Sequence, residues 1–338
     1  METTQGTVGS DTIVGLIQHL AELLRTNYVY PDVAEEICTR FQQHLDEGAY
    51  AGITEGEFLA YALTHHMQEV CGDEHLWVRW IPERLPEHEG QLRHNEEWEA
   101  ERRLEAELDN YGLHRAERLP GDVGYLDIRF LTRPAWGGDT AASAMGFVSN
   151  TRALIIDLRS CTGGYPGMVV LMLSYLFGEE PVHLSSIYWR DEDAIQQYWT
   201  MPYVPGQRFG DKPVYVLTSR DTFSGGEAFA HHLQAHGRAT VVGEQTDGGA
   251  HAGARYRLHP HFEVFIPIGR AIDPITGGNW EQHGVVPDVT AAPDDALNVA
   301  YRLALESVIE DIGESRSGPL ADLLGEAQAA LDNLAGGG

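Results

Sequence analysis

Two short runs, Ala153-Leu-Ile-Ile156 and Val214-Tyr-Val-Leu217, are apolar at every position before they break into polar and glycine-bearing turns. A strand with one wet face alternates apolar and polar residues. A strand without alternation is covered on both faces, as strands are in a parallel sheet flanked by helices. The two runs predict strands over 153–157 and 213–217, and similar texture predicts strands over 123–130, 239–243 and 262–267. Helical spacing predicts helices over 138–150, 167–177, 224–236 and 294–309. That alternation is the pattern of an α/β architecture.

The residues ahead of this region read differently. Ile13, Leu16, Ile17, Leu20 and Leu24 share one helical face, and Asn27 to Pro31 breaks the pattern. Pro31 suits the first turn of a second helix carrying Ala34, Ile37, Phe41 and Leu45, which Gly48 stops. Thr54 and Glu57 have capping-box spacing ahead of a third helix with Leu59, Leu63 and Met67. A strand is expected over 76–82. Residues 83–118 are then dense in Glu and Arg, with i,i+4 charge pairs such as Arg103 and Glu107, and read as a solvated helical excursion. The implied organisation is a helical segment 1–75, a strand and charged helical insert 76–118, an α/β core 119–310, and a C-terminal helix with a disordered tail 311–338.

Charge excludes several classes of partner. The 338 residues hold 51 acidic against 23 basic side chains, a net charge of -28. Such a field repels phosphate backbones and anionic lipid surfaces, so neither nucleic acid nor membrane is expected as a partner. No apolar run reaches the ~18–20 residues that cross a bilayer. The polar start, Met1 to Asp11, lacks the pattern of a secretory leader, and a cytoplasmic location is the expectation. Cys38, Cys71 and Cys161 are odd in number and widely spaced, which suits reduced thiols; no Cys-x-x-Cys pair suggests a metal site.

Four segments carry chemistry-bearing residues. In Pro213-Val-Tyr-Val-Leu-Thr-Ser-Arg-Asp-Thr-Phe-Ser-Gly-Gly226 a buried strand ends in a turn, and Ser224 stands at the start of a helix. The unpaired first-turn amides and the helix dipole there favour an oxyanion. An ordinary helix cap is the competing role for Ser224. Gly-x-Ser-x-Gly is not matched, because position 222 is Thr. In Asp157-Leu-Arg-Ser-Cys-Thr-Gly-Gly164 a second buried strand runs into a glycine pair, where amides can approach a substrate. Glu281 lies in Gly278-Asn-Trp-Glu-Gln-His-Gly284, and His75 in Cys71-Gly-Asp-Glu-His-Leu76. His232 and His236 have metal-ligand spacing but no evident acidic third ligand, and read as packing.

Taken in order, these motifs resemble the tail-specific serine peptidase family, in the bacterial branch similar to interphotoreceptor retinoid-binding protein repeats. The resemblance includes Asn27-Tyr-Val-Tyr-Pro-Asp32, Asp73-Glu-His-Leu76, Asp157-Leu-Arg159 with Gly163-Gly164, Thr222-Phe-Ser-Gly225, Gly248-Gly-Ala-His251 and Asn279-Trp-Glu281. Several ordered motifs over most of the chain are more specific than any one. The resemblance implies a crotonase/protease-like α/β core of stacked ββα units with a small N-terminal three-helix subdomain. It further implies Ser224 as nucleophile, His75 as general base and Glu281 as the acidic member. The Gly225 amide and the Gly163-Gly164 turn would form the oxyanion hole. His251 and His283 are the reserve candidates for the base. No cofactor or metal is implied, and the substrate is a peptide or a small molecule.

Another branch of the family pairs its serine with a lysine. The sole lysine here, Lys212, precedes Ser224, so Ser-Lys chemistry is not expected. Cys161 stands where the family often has Asn, Glu74 where it often has Gly or Ser, and Gln282 where Gly is frequent. These departures leave two rivals to peptide hydrolysis: an apolar ligand-binding module, and a hydrolase or acyl-transfer enzyme acting on small molecules.

Overall fold

The computed structural model describes residues 9–85, 90–91, 96–313 and 317–336. Most of the expected polar start, parts of the charged insert (86–89 and 92–95) and the final two glycines lie outside the described residues. The helices are α1 (Ser10–Asn27), α2 (Pro31–Asp46), α3 (Gly56–Cys71), α4 (Glu96–Leu108), α5 (Pro134–Val148), α6 (Pro166–Ser174), α7 (Gly225–Ala235), α8 (Pro293–Ile312) and α9 (Pro319–Gly336). The strands are β1 (Trp77–Trp80), β2 (Leu113–Leu119), β3 (Val123–Ile128), β4 (Ala153–Asp157), β5 (His183–Trp189), β6 (Ala194–Trp199), β7 (Val214–Thr218), β8 (Thr240–Gly243), β9 (His251–His259), β10 (Phe262–Ile272) and β11 (Val289–Thr290). No described helix is long and apolar enough to cross a membrane.

The chain forms two compact units, neither of them a contiguous segment. One comprises Met1–Asn95, Ser186–Gln196 and His251–Ile272; the other comprises Glu96–Ser185, Gln197–Ala250 and Asp273–Gly338.

In the first unit, α1, α2 and α3 turn their apolar faces onto antiparallel strands. Leu20, Leu24, Ile37, Phe41, Leu59, Leu63 and Met67 form one core with Tyr256, Phe262, Val264 and Ile266 of β9 and β10. Strand β10 pairs antiparallel with β1, β5 and β9. Helix α1 ends where expected, and Pro31 opens α2. The Thr54–Glu57 capping box does not form: α3 starts at Gly56 with Glu55 as N-cap and no side-chain cap bond.

The second unit is built on a six-stranded sheet in the order β11-β8-β7-β4-β3-β2. Its pairings are parallel except for β2, which runs antiparallel to β3. Strands β4 and β7 are buried at every position, as their unbroken apolar runs require. One face, including Tyr125, Ile155, Leu217 and Val242, packs on Ala296, Ala300 and Ala304 of α8 and on Ala327 of α9. Alanine at four-residue intervals lets α8 lie close to the sheet. On the other side α5 packs on β2 and β3, and α7 on β8.

Several strands were not expected from sequence. Strand β2 closes the charged stretch, β5 and β6 fall where no element was placed, and β9 occupies the glycine-flanked segment that begins at His251. Strand β10 extends to Ile272, beyond the expected 262–267. Strand β6 exposes Ile195 and Trp199 beside Gln196 and Gln197 and so has no apolar period, and most positions of β9 are half-solvated.

The close approach of α8 predicts a specific weakness. Ala300 has no exposed surface, and Ala300→Leu should destabilise the protein by about 1–3 kcal/mol through overpacking. A urea-unfolding midpoint equal to that of the unaltered chain would show that α8 does not press on the sheet.

Candidate active site

In the second unit β7 ends at Thr218, and six residues later Ser224 takes the N-cap position of α7 with φ 52 and ψ -114. Ordinary N-caps adopt the extended region. A positive φ in a non-glycine residue costs on the order of 1–3 kcal/mol, so helix capping alone does not account for this backbone. The conformation is that of the sharp strand-to-helix turn which presents nucleophilic serines. It is reached without glycine at position 222: the buried Thr222 hydroxyl instead donates to Leu158 O at 2.8 Å and accepts from Ser219 N at 3.0 Å. The Phe223 amide donates to Cys161 O at 2.9 Å, which fastens the Ser224 turn to the turn after β4.

That second turn is packed directly against the first. Gly163 and Gly164 have φ 115 and 137. A Cβ on Gly163 would meet the Ser224 Cβ at 2.9 Å, and one on Gly225 would meet the Gly164 nitrogen at 2.9 Å. Only glycine allows the amides of Gly164 and Gly225 to approach each other beside the serine, the arrangement in which two donors can share one oxyanion. Ser224 itself is partly exposed. Cys161 is fully buried, and burial pushes its thiol up to about 12. It is therefore a neutral packing residue whose carbonyl does the fastening.

Glu227 is a residue that sequence reading passed over. It is fully buried, and its carboxylate accepts from Ser224 N (2.8 Å), Thr246 Oγ1 (2.7 Å), Gly248 N (2.8 Å) and Gly249 N (2.8 Å). Desolvation raises its pKa, opposed by these donors. The Ser224-x-x-Glu227 spacing was the available signal, since it is that of a capping box. From Gly248 and Gly249 the network continues to the Glu281 loop. Gln282 N donates to Gly248 O at 2.7 Å, and Trp280 Nε1 to Gly249 O at 2.9 Å. Ala250 N donates to Glu281 Oε2 at 2.6 Å. The Ser224 turn and Glu281 are thus wired together through one buried carboxylate.

The first unit holds His75 and His251 around Asp73. Asp73 is 1% exposed; its Oδ1 accepts from His75 N at 3.0 Å, and its Oδ2 accepts from Tyr28 OH at 3.1 Å. His251 Nδ1 lies 2.7 Å from the same Oδ2, and Tyr30 OH lies 3.5 Å from His251 Nε2. An Nδ1–H donated to Asp73 leaves Nε2 as the basic nitrogen, the tautomer that a catalytic base needs. Burial lowers the His75 pKa to about 4, against a smaller upward pull from Asp73.

The profile of peptidase family S41 matches residues 122–291, and that of the N-terminal domain of S41 peptidases in eukaryotic interphotoreceptor retinoid-binding protein matches residues 10–107. The chain belongs to peptidase family S41. The S41 match takes in Gly163, Gly164, Ser224, Gly225, His251 and Glu281, and the N-terminal match takes in His75.

Among curated relatives, the chain is 27% identical over 142 residues to the chloroplastic carboxyl-terminal-processing peptidase 3 of Arabidopsis thaliana, covering 41% of this chain and 26% of the relative. It is 25% identical over 219 residues to the carboxyl-terminal-processing protease of Synechocystis, covering 64% and 45%. The chain thus spans less than half the length of either. A solved protein of Parabacteroides merdae shares the fold with TM-score 0.59 at 17% identity, over 87% of this chain and 96% of that one. A lipoprotein from Streptococcus agalactiae does so with TM-score 0.53 at 14% identity, over 86% and 95%.

The remaining candidates of this S41 chain have other surroundings. His283 is exposed, with its carbonyl accepting from Gln245 Nε2 at 2.6 Å. His231 and His232 pack against the Trp280 ring, with centroids 4.9 and 5.8 Å apart, and His231 Nε2 lies 3.3 Å from Asp273 Oδ2. His236 abuts Phe177. Lys212 donates to the carbonyls of Ser149 and Thr151 at 2.5 and 2.7 Å, a bracing role.

Two expectations follow. Glu227→Gln places an amide N–H₂ among donors and should cost about 2–4 kcal/mol of stability; an unchanged melting curve would mean the carboxylate is not holding the loops. His75 sets a pH dependence. Its folded pKa lies below the ordinary 6.5, at about 4. Between those values the unfolded chain binds a proton that the fold refuses, so stability rises with pH across the window, by up to about 3 kcal/mol from this group. Denaturation from pH 4 to 7 should show a shallower slope for His75→Gln; equal slopes would refute the assignment.

Proposed function

We propose that the chain is a serine peptidase working through an acyl-enzyme on a crotonase/protease-like core of stacked ββα units. Ser224 Oγ attacks the substrate carbonyl carbon, and His75 takes the hydroxyl proton. The Gly225 amide and the Gly163-Gly164 turn stabilise the oxyanion, and Glu281 is the acidic member of the set. Collapse of the tetrahedral intermediate breaks the C–N bond, the amine leaves with the proton from the histidine, and water then hydrolyses the ester. The observation that carries this reading is the positive-φ backbone of Ser224 packed on the glycine pair. The lowered pKa of His75 supports its part, because a base must be proton-free at neutral pH. The scheme uses no cofactor.

A specific observation favours a second assignment of the base. His251 has a carboxylate partner that fixes its tautomer, Asp73 at 2.7 Å. In this variant His251 takes the proton and Asp73 orients it.

A fluorophosphonate probe, which forms a tetrahedral adduct on activated serines, tests both. It should label the unaltered chain and fail on Ser224→Ala. His75→Gln should slow labelling at least about 100-fold if His75 is the base, whereas loss in His251→Gln with His75→Gln near normal would transfer the role. Labelling at Ser224 without cleavage of any peptide would point to small-molecule substrates. A folded chain that resists the probe and takes up an apolar ligand would replace the enzyme reading with a binding module.

A further inference from the structure

Helices α2 and α3 of the first unit bring together a set of side chains that the proposed chemistry does not use. The His44 and His66 rings stack with centroids 3.9 Å apart and planes 17° apart. One ring nitrogen from each and a Glu69 carboxylate oxygen all lie within 4.8 Å of one another. His44 is 9% exposed, and among the described residues its Nε2 is buried without a hydrogen-bond partner. A buried nitrogen of that kind is costly unless something binds it.

We propose that His44, His66 and Glu69 form a zinc site that clamps α2 to α3. Two imidazoles and a carboxylate are a borderline nitrogen and oxygen set, which suits zinc over calcium or magnesium. Tetrahedral zinc holds its nitrogens roughly 3.3 Å apart, so small side-chain rotations close the set around the ion. The supporting contacts are those of a metal histidine. The Tyr50 hydroxyl lies 2.9 Å from His66 Nδ1, which leaves Nε2 as the nitrogen available to an ion and gives Nδ1–H an oxygen to donate to. His65 Nδ1 lies 3.5 Å from Glu69 Oε1 and steadies the carboxylate. Glu69 also borders an open groove of about 670 Å³ with Glu35, Glu36, Arg40 and Gln43, which offers a path from solvent. Arg40 opposes the ion's charge, while Glu35, Glu36 and Glu69 outweigh it.

The site is independent of the peptidase reading, so its test needs no substrate. The full chain, stripped with a chelator, is titrated with zinc chloride by calorimetry and melted with and without zinc. A one-to-one isotherm and a raised melting temperature are expected. Glu69→Gln, a half-exposed position whose change leaves the fold intact, should weaken binding at least about tenfold and shrink the thermal shift. His66→Asn should abolish both, and cobalt in place of zinc should give a four-coordinate visible spectrum. No zinc uptake at micromolar concentration, or equal uptake by the unaltered chain and Glu69→Gln, would overturn the proposal. So would binding lost only with Ser224 or His75 variants. Should His66→Asn fail to fold, Glu69→Gln alone decides.

Discussion

A carboxylate removed from water is stable only when donors replace its hydration, and Glu227 meets that demand with four of them. Each donor belongs to a piece of the candidate site or to a segment that shapes it. Ser224 N fixes the Ser224 turn, Thr246 Oγ1 leads to Val285 N at 2.7 Å, and the amides of Gly248 and Gly249 hold the segment on which the Glu281 loop hangs. None of these loops has a core of its own. Their mutual register depends on satisfying one buried charge, so an error in any of them leaves Glu227 short of a donor.

The strain at Ser224 is sustained by the same economy. A positive φ persists only where the surroundings over-determine it. Here a parallel sheet buried on both faces sets the ends of β4 and β7 level, through pairings such as Asp157 with Leu217. The turns that leave those strands are then forced side by side, and the bond from Phe223 N to Cys161 O locks them. Glycine at 163 and 225 is the consequence, because any Cβ there would occupy the space of the neighbouring turn, while a Cβ on Gly164 would press on the backbone of Leu131. Rigid strands thus convert burial energy into a fixed spacing between one hydroxyl and two amides.

Much of this was legible in the residues, and the exceptions have physical causes. The unbroken runs at 153–157 and 214–217 gave the buried strands directly, since lack of alternation means two covered faces. Ser224 and the glycine pair were legible because strand, turn and helix occur in that order. The Gly-x-Ser-x-Gly pattern failed as a guide, since what a sharp turn needs is a brace, and the buried hydroxyl of Thr222 supplies one. Glu227 hid inside a helix, where an acidic residue in the first turn has an ordinary explanation in the macrodipole. Strands β5 and β6 were hidden because neither has a clean apolar period: β5 buries Ser185 and Ser186, and β6 exposes Ile195 and Trp199. The two-unit division was invisible because residues 186–196 and 251–272 join the first unit through sheet pairing, which carries no local signal.

The sharpest physical question in the first unit is how one carboxylate serves two histidines. Asp73 divides its oxygens: Oδ1 takes the His75 backbone amide, and Oδ2 takes the Tyr28 hydroxyl and the His251 ring. His75 gains position from Asp73, and burial outweighs the upward pull of that carboxylate on its pKa. His251 gains both a fixed tautomer and a countercharge for its protonated form. The His75 ring also lies beside Phe265, with centroids 6.2 Å apart. One carboxylate thus shapes the surroundings of both histidines. Loss of Asp73 would act on both, loosening the 73–75 turn and freeing the His251 tautomer.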